Sequence, residues 1–224
     1  MKQLLLTIVL LITGFQAYSQ VKHDYDGLKE RIEEKRLSIY QEYKSANSTK
    51  QDSLLKISCA YLTKTLTDSI FTAWYNTPWD FNGHTTTPQK GKIACGYFIT
   101  TTLKDAGFNI PRIKWAQMVS EHIIRKLTTD IKRFHNTQMS DIVKYINNKG
   151  NGLYIVGLDD HVGFISKQDT KLQFIHSSYY KPQTGVIAEP LIGWNPLNYS
   201  KYRIIGKILD NDMIRKWITG HIYQ

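Results

Sequence analysis

The sequence predicts an α+β protein in which helices precede an antiparallel sheet. Apolar residues recur at helical spacing as far as residue 148, whereas short runs rich in β-branched and aromatic residues begin at residue 153. The two patterns do not alternate regularly along the 224 residues, as they would in a doubly wound parallel sheet. We therefore expect N-terminal helices packed on a mainly antiparallel sheet.

The first residues have the features of a secretory signal peptide. Lys2 provides the positive charge, residues 4–12 form a short apolar core, and Ala17-Tyr18-Ser19 is a small-x-small cleavage signal. This apolar core is far shorter than the roughly 20 residues that span a bilayer. We expect a signal peptide over residues 1–19, cleavage near Ser19-Gln20, and a periplasmic or secreted protein without stable membrane insertion.

Charge favours an anionic partner. The formal net charge is +10, and loss of Lys2 with the signal peptide leaves 28 basic against 19 acidic residues, or +9. A basic surface attracts anionic polymers, and the nearest one for an exported protein is the cell envelope. No basic block with interleaved aromatic residues is present, so we expect no nucleic-acid partner.

Residues 20–74 are predicted to form a helical hairpin. The charged segment 22–46 carries an incomplete apolar stripe, Asn47-Ser48-Thr49 form a break with N-cap character, and a second helix follows over 51–74. Both a hairpin packed on the rest of the chain and a projecting accessory arm agree with this pattern. We expect one main domain over residues 75–224.

A loop rich in aromatic residues precedes the most informative helix. Residues 75–94 contain Pro, Gly, Thr and Asn, which are typical of loops. The aromatic residues around it could form one wall of a substrate cleft or close the edge of the core. They are Trp74, Tyr75, Trp79 and Phe81.

Cys95 stands at the start of a predicted helix that ends at Gly107. Phe98, Leu103 and Ala106 give this helix an apolar face. A helix N-terminus stabilises a thiolate and thereby lowers the pKa of a cysteine. Cys95 is therefore a candidate nucleophile, and the alternative is a cysteine packed as a small apolar residue.

Cys59 is the second cysteine of the chain. It lies on a helical pattern with Leu55, Leu62 and Leu66, which is typical of a core face. An exported protein could pair Cys59 with Cys95, although a chain of about 200 residues buries enough surface to fold without a disulfide.

The remaining elements follow from periodicity. Helices are predicted over residues 120–128 and 138–148. Strands are predicted over Leu153–Leu158, His161–Ser166, Leu172–Ile175 and Tyr202–Leu209, with a terminal helix over Asp212–Ile218.

Two histidines complete a possible catalytic group. His161 opens one predicted strand and His176 closes the next, so an antiparallel hairpin places both at the same end of the sheet. With Cys95 as the nucleophile, His161 fits a general base and His176 fits the group that orients it. The same three residues could bind zinc, although no local pair has metal-ligand spacing. The thiol–imidazole mechanism needs no cofactor or metal.

Three segments together resemble the NlpC-like cell-wall peptidases, which share the papain-type fold. They are ACGYFITTTLKDAGFNIPR, DDHVGFIS and FIHSS. In that family a cysteine starts a helix, and a His-Val-Gly strand and a strand that ends in His follow. The resemblance spans about residues 75–180. It implies a papain-like cysteine hydrolase that cleaves amide bonds in peptidoglycan stem peptides.

The chain also departs from the family. Ala94 replaces the Asp that usually precedes the nucleophile, and Gly96-Tyr97 replace Ser-Gly. Gln89 lies six residues before Cys95, a spacing similar to that of papain's oxyanion-hole glutamine, and is a candidate oxyanion donor. The candidate substrate-binding residues are Tyr75, Trp79, Gly96, Tyr97 and Trp194. The departures leave other functions open, namely another amidase, a transglutaminase-like or thioesterase activity, or an envelope-binding module without activity.

Overall fold

The computed structural model describes residues 2–224, and it describes side chains from residue 24 onward. The predicted signal peptide therefore lies outside the residues whose side chains are described. Within the part of the chain that was searched, no helix is both long enough and apolar enough to cross a membrane.

The N-terminal helices form the predicted hairpin. Helix α1 (Lys2–Ser45) is followed by α2 (Ser48–Lys64), a π-helical turn (Thr65–Ile70) and α3 (Phe71–Trp74). The carboxamide oxygen of Asn47 accepts a hydrogen bond from the backbone N–H of Lys50 and thereby caps α2, as its N-cap character predicts.

The hairpin packs on the rest of the chain. Ile32 of α1 and Leu62 of α2 are fully buried, in the same apolar cluster as Phe98 and Phe164. The apolar stripe was therefore the informative feature of this charged segment, because it marks the face that leaves water.

Six helices follow the hairpin in the described part of the chain. Helix α4 (Cys95–Asp105) packs against two strands of the sheet. Gly107 ends its last turn with a φ of +90°, a conformation that glycine adopts without steric cost. The other five are α5 (Arg112–Ala116), α6 (Ser120–Leu127), α7 (Met139–Lys149), α8 (Pro196–Tyr199) and α9 (Asn211–Ile218).

A six-stranded antiparallel sheet lies at the centre of the molecule, in the order β1-β6-β2-β3-β4-β5. This arrangement confirms the α+β class and the four predicted strands. The strands are β1 (Ile131–His135), β2 (Gly152–Leu158), β3 (Val162–Gln168), β4 (Lys171–Ser177), β5 (Val186–Glu189) and β6 (Tyr202–Lys207).

The sequence analysis missed the two edge strands and the short helices α5 and α8. Strand β1 buries only Phe134 of its five residues, and β5 has only four residues. Neither segment is long or apolar enough to stand out by pattern, and both exist because a neighbouring strand supplies hydrogen-bond partners.

Both faces of the sheet are buried. Leu153 and Ile155 of β2 pack in the cluster that includes α4 and the N-terminal hairpin, whereas Tyr154 and Val156 pack in a second cluster with residues of α7. Side chains alternate between the faces of a strand, so β2 reads as an almost continuous apolar run.

Candidate active site

Cys95 is the first residue of α4, and the preceding segment holds it close to the sheet. Ala94 is extended and provides no side-chain cap, so the first backbone N–H groups of α4 have no acceptor within the helix. The Ser177 hydroxyl of β4 donates to the Ile93 carbonyl at 2.7 Å. This bond ties the approach to Cys95 to the residue that follows His176.

Gly96 lets α5 approach the start of α4. An ideal Cβ on Gly96 would lie 2.2 Å from the carbonyl oxygen of Ala116. Such a distance is far below van der Waals contact, so a side chain here would push the two segments apart. Where the resemblance predicts a polar residue, this chain needs glycine to fit the backbone of α5.

The surroundings of the Cys95 thiol act in opposite directions on its pKa. Burial raises the pKa, and the backbone N–H groups of Val162, Gly96 and Cys95 itself lower it by a smaller amount. The net pKa lies above the ordinary value. The lowered pKa expected from the helix N-terminus is therefore wrong, because desolvation outweighs the backbone N–H groups.

His161 and His176 meet at one end of the sheet, as the predicted hairpin requires. Strands β3 and β4 pair antiparallel with Phe164 opposite Ile175. The Nε2 atom of His161 lies 2.8 Å from the Nδ1 atom of His176. The other ring nitrogen of His161, Nδ1, is buried and has no hydrogen-bond partner among the described residues.

Two charged residues that the sequence analysis did not single out extend this pair. The Nε2 atom of His176 lies 2.9 Å from the Oε1 atom of Glu189, the last residue of β5. The ammonium group of Lys181 donates to the other carboxylate oxygen of Glu189. The only signal in the sequence is a carboxylate that closes the short apolar run VIAE, which is too weak to predict a partner.

Cys95 and His161 line the same cleft. Its volume is about 700 Å³, and Trp79, Tyr97 and Tyr179 contribute to its walls. A second depression of about 230 Å³ lies beside it and also includes Cys95 and His161. The thiol therefore lies between two spaces, which leaves room for substrate on both sides of a reacting carbonyl.

The predicted substrate-binding residues divide into two groups. Trp79, Gly96 and Tyr97 line the cleft, whereas Tyr75 lines a different cavity of about 640 Å³. Trp194 is 60% exposed and packs against Tyr180, outside the residues that line the cleft.

Gln89 does not reach the cleft. Its side-chain amide donates to the Ala73 carbonyl at 3.2 Å, and the residue is exposed in its loop. The structure thus contradicts the prediction that Gln89 is an oxyanion donor, because the loop turns at this residue with a φ of +57° and directs the amide elsewhere. The donors that line the cleft are the backbone N–H groups at the start of α4, which have no acceptor within the helix.

Both cysteines are free thiols, so the possible Cys59–Cys95 disulfide is not formed. Across the part of the chain that the structure describes, no group of three His, Cys, Asp or Glu side chains has an arrangement that could hold a metal ion.

The burial of His161 predicts a stability that depends on pH. Desolvation, and to a smaller extent His176, hold the pKa of His161 well below 6.5. Below pH 6.5 the imidazole of His161 is protonated in the unfolded chain but stays neutral in the folded protein, so a lower pH favours unfolding. Between pH 7.5 and 5.5, we expect the free energy of unfolding of the wild type to fall by about 1 kcal/mol more than that of His161→Gln. Urea unfolding at both pH values checks this, and equal losses in the two proteins would contradict it.

No protein-family model and no curated protein matches the chain. Among solved structures, it is similar to an N-acetylmuramoyl-L-alanine amidase from Bacteroides uniformis, with 11% sequence identity and a TM-score of 0.32. The similarity covers 66% of this chain and 99% of the amidase. At that level of similarity, the function of the chain has to be argued from its own site.

Proposed function

We propose that this protein is a cysteine hydrolase that cleaves amide bonds through a thioester intermediate. Cys95 is the nucleophile, His161 is the general base, and His176 orients His161. The observation that carries the proposal is that His161 lines the same cleft as Cys95, with its Nε2 atom held by His176 and its Nδ1 atom buried without a hydrogen-bond partner among the described residues. A base with one nitrogen held and the other available is what a thiol nucleophile needs.

The reaction divides into two steps. In the first, Nδ1 of His161 takes the proton of the Cys95 thiol, and the sulfur attacks the carbonyl carbon of the substrate. The intermediate collapses when the C–N bond breaks, and His161 delivers the proton to the leaving amine. In the second step His161 takes a proton from water, the hydroxide attacks the thioester, and the thiol is regenerated with release of a carboxylic acid.

The start of α4 provides the electrostatic support for both steps. Its first backbone N–H groups have no acceptor within the helix. They can therefore donate hydrogen bonds to the carbonyl oxygen of the substrate as negative charge develops on it. Because burial raises the pKa of the thiol, the proposed mechanism couples thiol deprotonation and attack through His161.

The substrate class that we propose is the stem peptide of peptidoglycan. The resemblance of the Cys95, His161 and His176 segments to the NlpC-like peptidases supports it, together with the basic net charge and the N-terminal features of an exported protein. We extend the same proposal to a papain-like fold for residues 75–224 and to action in the periplasm or outside the cell.

Digestion of purified peptidoglycan tests this function. We expect new muropeptides that carry one free amine and one free carboxylate at a single amide position, as read by mass spectrometry. Wild-type protein that releases no such products, but hydrolyses a thioester or couples an added amine, would overturn the peptidoglycan assignment in favour of a thioesterase or transglutaminase-like activity. Wild-type protein that binds peptidoglycan and turns over none of these substrates would indicate a binding module.

A further inference from the structure

We propose that Glu189 is a positioning residue that, through His176, sets the protonated nitrogen of His161 and so leaves Nδ1 free to accept the thiol proton. The proposal rests on the proposed function, since it describes how the same base is prepared. Glu189 touches neither the thiol nor the cleft, and its role is exerted through two imidazole rings.

The direction of the first hydrogen bond follows from the carboxylate. Glu189 is buried, with 7% of its surface exposed. One of its carboxylate oxygens is hydrogen-bonded to His176, and the other accepts a hydrogen bond from Lys181. Burial raises the pKa of Glu189, but the hydrogen bonds from His176 and Lys181 outweigh it, and the net pKa lies below the usual range. An ionised carboxylate can only accept, so Nε2 of His176 carries a hydrogen.

The direction of the second hydrogen bond follows from the first. Burial lowers the pKa of His176 more than Glu189 raises it, so this ring is neutral. A neutral imidazole with a hydrogen on Nε2 has its lone pair on Nδ1. This lone pair accepts from Nε2–H of His161 across 2.8 Å, and the lone pair of neutral His161 is then on Nδ1.

Without the carboxylate, the two rings could adopt the opposite arrangement. Each hydrogen bond would reverse, and Nδ1 of His161 would carry a hydrogen. That tautomer cannot take a proton from Cys95. The Glu189 carboxylate therefore selects one of two tautomeric states of the histidine pair, as the aspartate does in Ser-His-Asp enzymes.

A substitution of equal shape tests the selection. In Glu189→Gln, a single amide oxygen remains for the two donors His176 and Lys181. Because the Lys181 ammonium group can only donate, we expect it to hydrogen-bond to this oxygen. The amide NH₂ then faces His176 and reverses both hydrogen bonds. We expect kcat for peptidoglycan hydrolysis to fall by about 10²- to 10⁴-fold with little change in KM.

A second substitution should restore the original direction of both hydrogen bonds. In Glu189→Gln with Lys181→Met, the amide can rotate and present its oxygen to His176. We expect kcat to recover at least about tenfold over the single variant, and Lys181→Met alone, which keeps the carboxylate, provides the reference for the loss of the lysine. A carboxylate that merely supported packing would show no recovery, since the double variant removes one more contact.

The tautomers can be read without a substrate. Long-range ¹H–¹⁵N correlation spectra should show a hydrogen on Nε2 of His161 in the wild type, on Nδ1 in Glu189→Gln, and on Nε2 again in the double variant. A hydrogen on Nδ1 of neutral His161 in the wild type would overturn the proposal, whether or not any variant folds. So would full activity of Glu189→Gln.

The two proposals fail in different ways. If Cys95→Ala abolishes hydrolysis while Glu189→Gln stays fully active, only the role of Glu189 is lost. If Cys95→Ala keeps its activity, the cysteine hydrolase itself is wrong, whatever the spectra show.

Discussion

Replacing Cys95 with alanine is expected to lower the rate of amide hydrolysis by about 10⁴-fold or more. In the proposed mechanism the Sγ atom forms the thioester, and the backbone N–H groups at the start of α4 can stabilise charge but cannot replace a nucleophile. The measurement is the initial rate of release of amines from purified peptidoglycan, at equal protein concentration. Because the change removes a single sulfur atom from a partly exposed residue, the variant should unfold at nearly the wild-type urea concentration.

Cys59→Ala is the matched control. Cys59 is also a free, partly buried thiol, but it lies on α2 and does not line the cleft. We expect this variant to retain wild-type hydrolysis. A Cys95→Ala protein that is as active as Cys59→Ala would rule out Cys95 as the nucleophile.

Gly96→Ala is expected to have the largest effect on stability among conservative changes near the site. The new Cβ would lie 2.2 Å from the Ala116 carbonyl oxygen, so α4 and α5 have to separate by close to an ångström before the contact is tolerable. We expect the free energy of unfolding to fall by about 2–3 kcal/mol. Activity should fall as well, because Cys95 is the preceding residue and would shift relative to His161.

Gly27→Ala provides the comparison for this change, since it adds the same methyl group to a glycine within a helix. A Cβ on Gly27 would meet only the guanidinium end of Arg31, at 3.2 Å, and that flexible side chain can move. Helix propensity then favours alanine by up to about 1 kcal/mol. Urea unfolding of both variants checks the contrast, and a Gly96→Ala protein as stable as Gly27→Ala would show that the approach of α5 imposes no constraint.

Local pattern predicted much of the fold. Apolar spacing within three or four residues predicted α4, α6, α7 and α9, and alternating or continuous apolar runs predicted four of the six strands. The edge strands escaped because β1 alternates polar residues around one buried Phe134 and β5 is short. Strand β1 depends on pairing with β6, which lies far along the chain, and β5 depends on pairing with β4 across the loop 178–185.

The candidate site shows the same division. The sequence alone determined which residues are candidates for the chemistry, because Cys95 at the start of a helix and two histidines at the ends of paired strands are local features. Only the tertiary structure decided what surrounds them. Glu189 reaches His176 from another strand, and Lys181 reaches Glu189 from a loop. Gln89 donates to Ala73 outside the cleft, and burial raises the pKa of Cys95 against the effect of the helix N-terminus. Desolvation and hydrogen-bond partners depend on every element packed around a group, whereas sequence spacing reports only on the element that carries it.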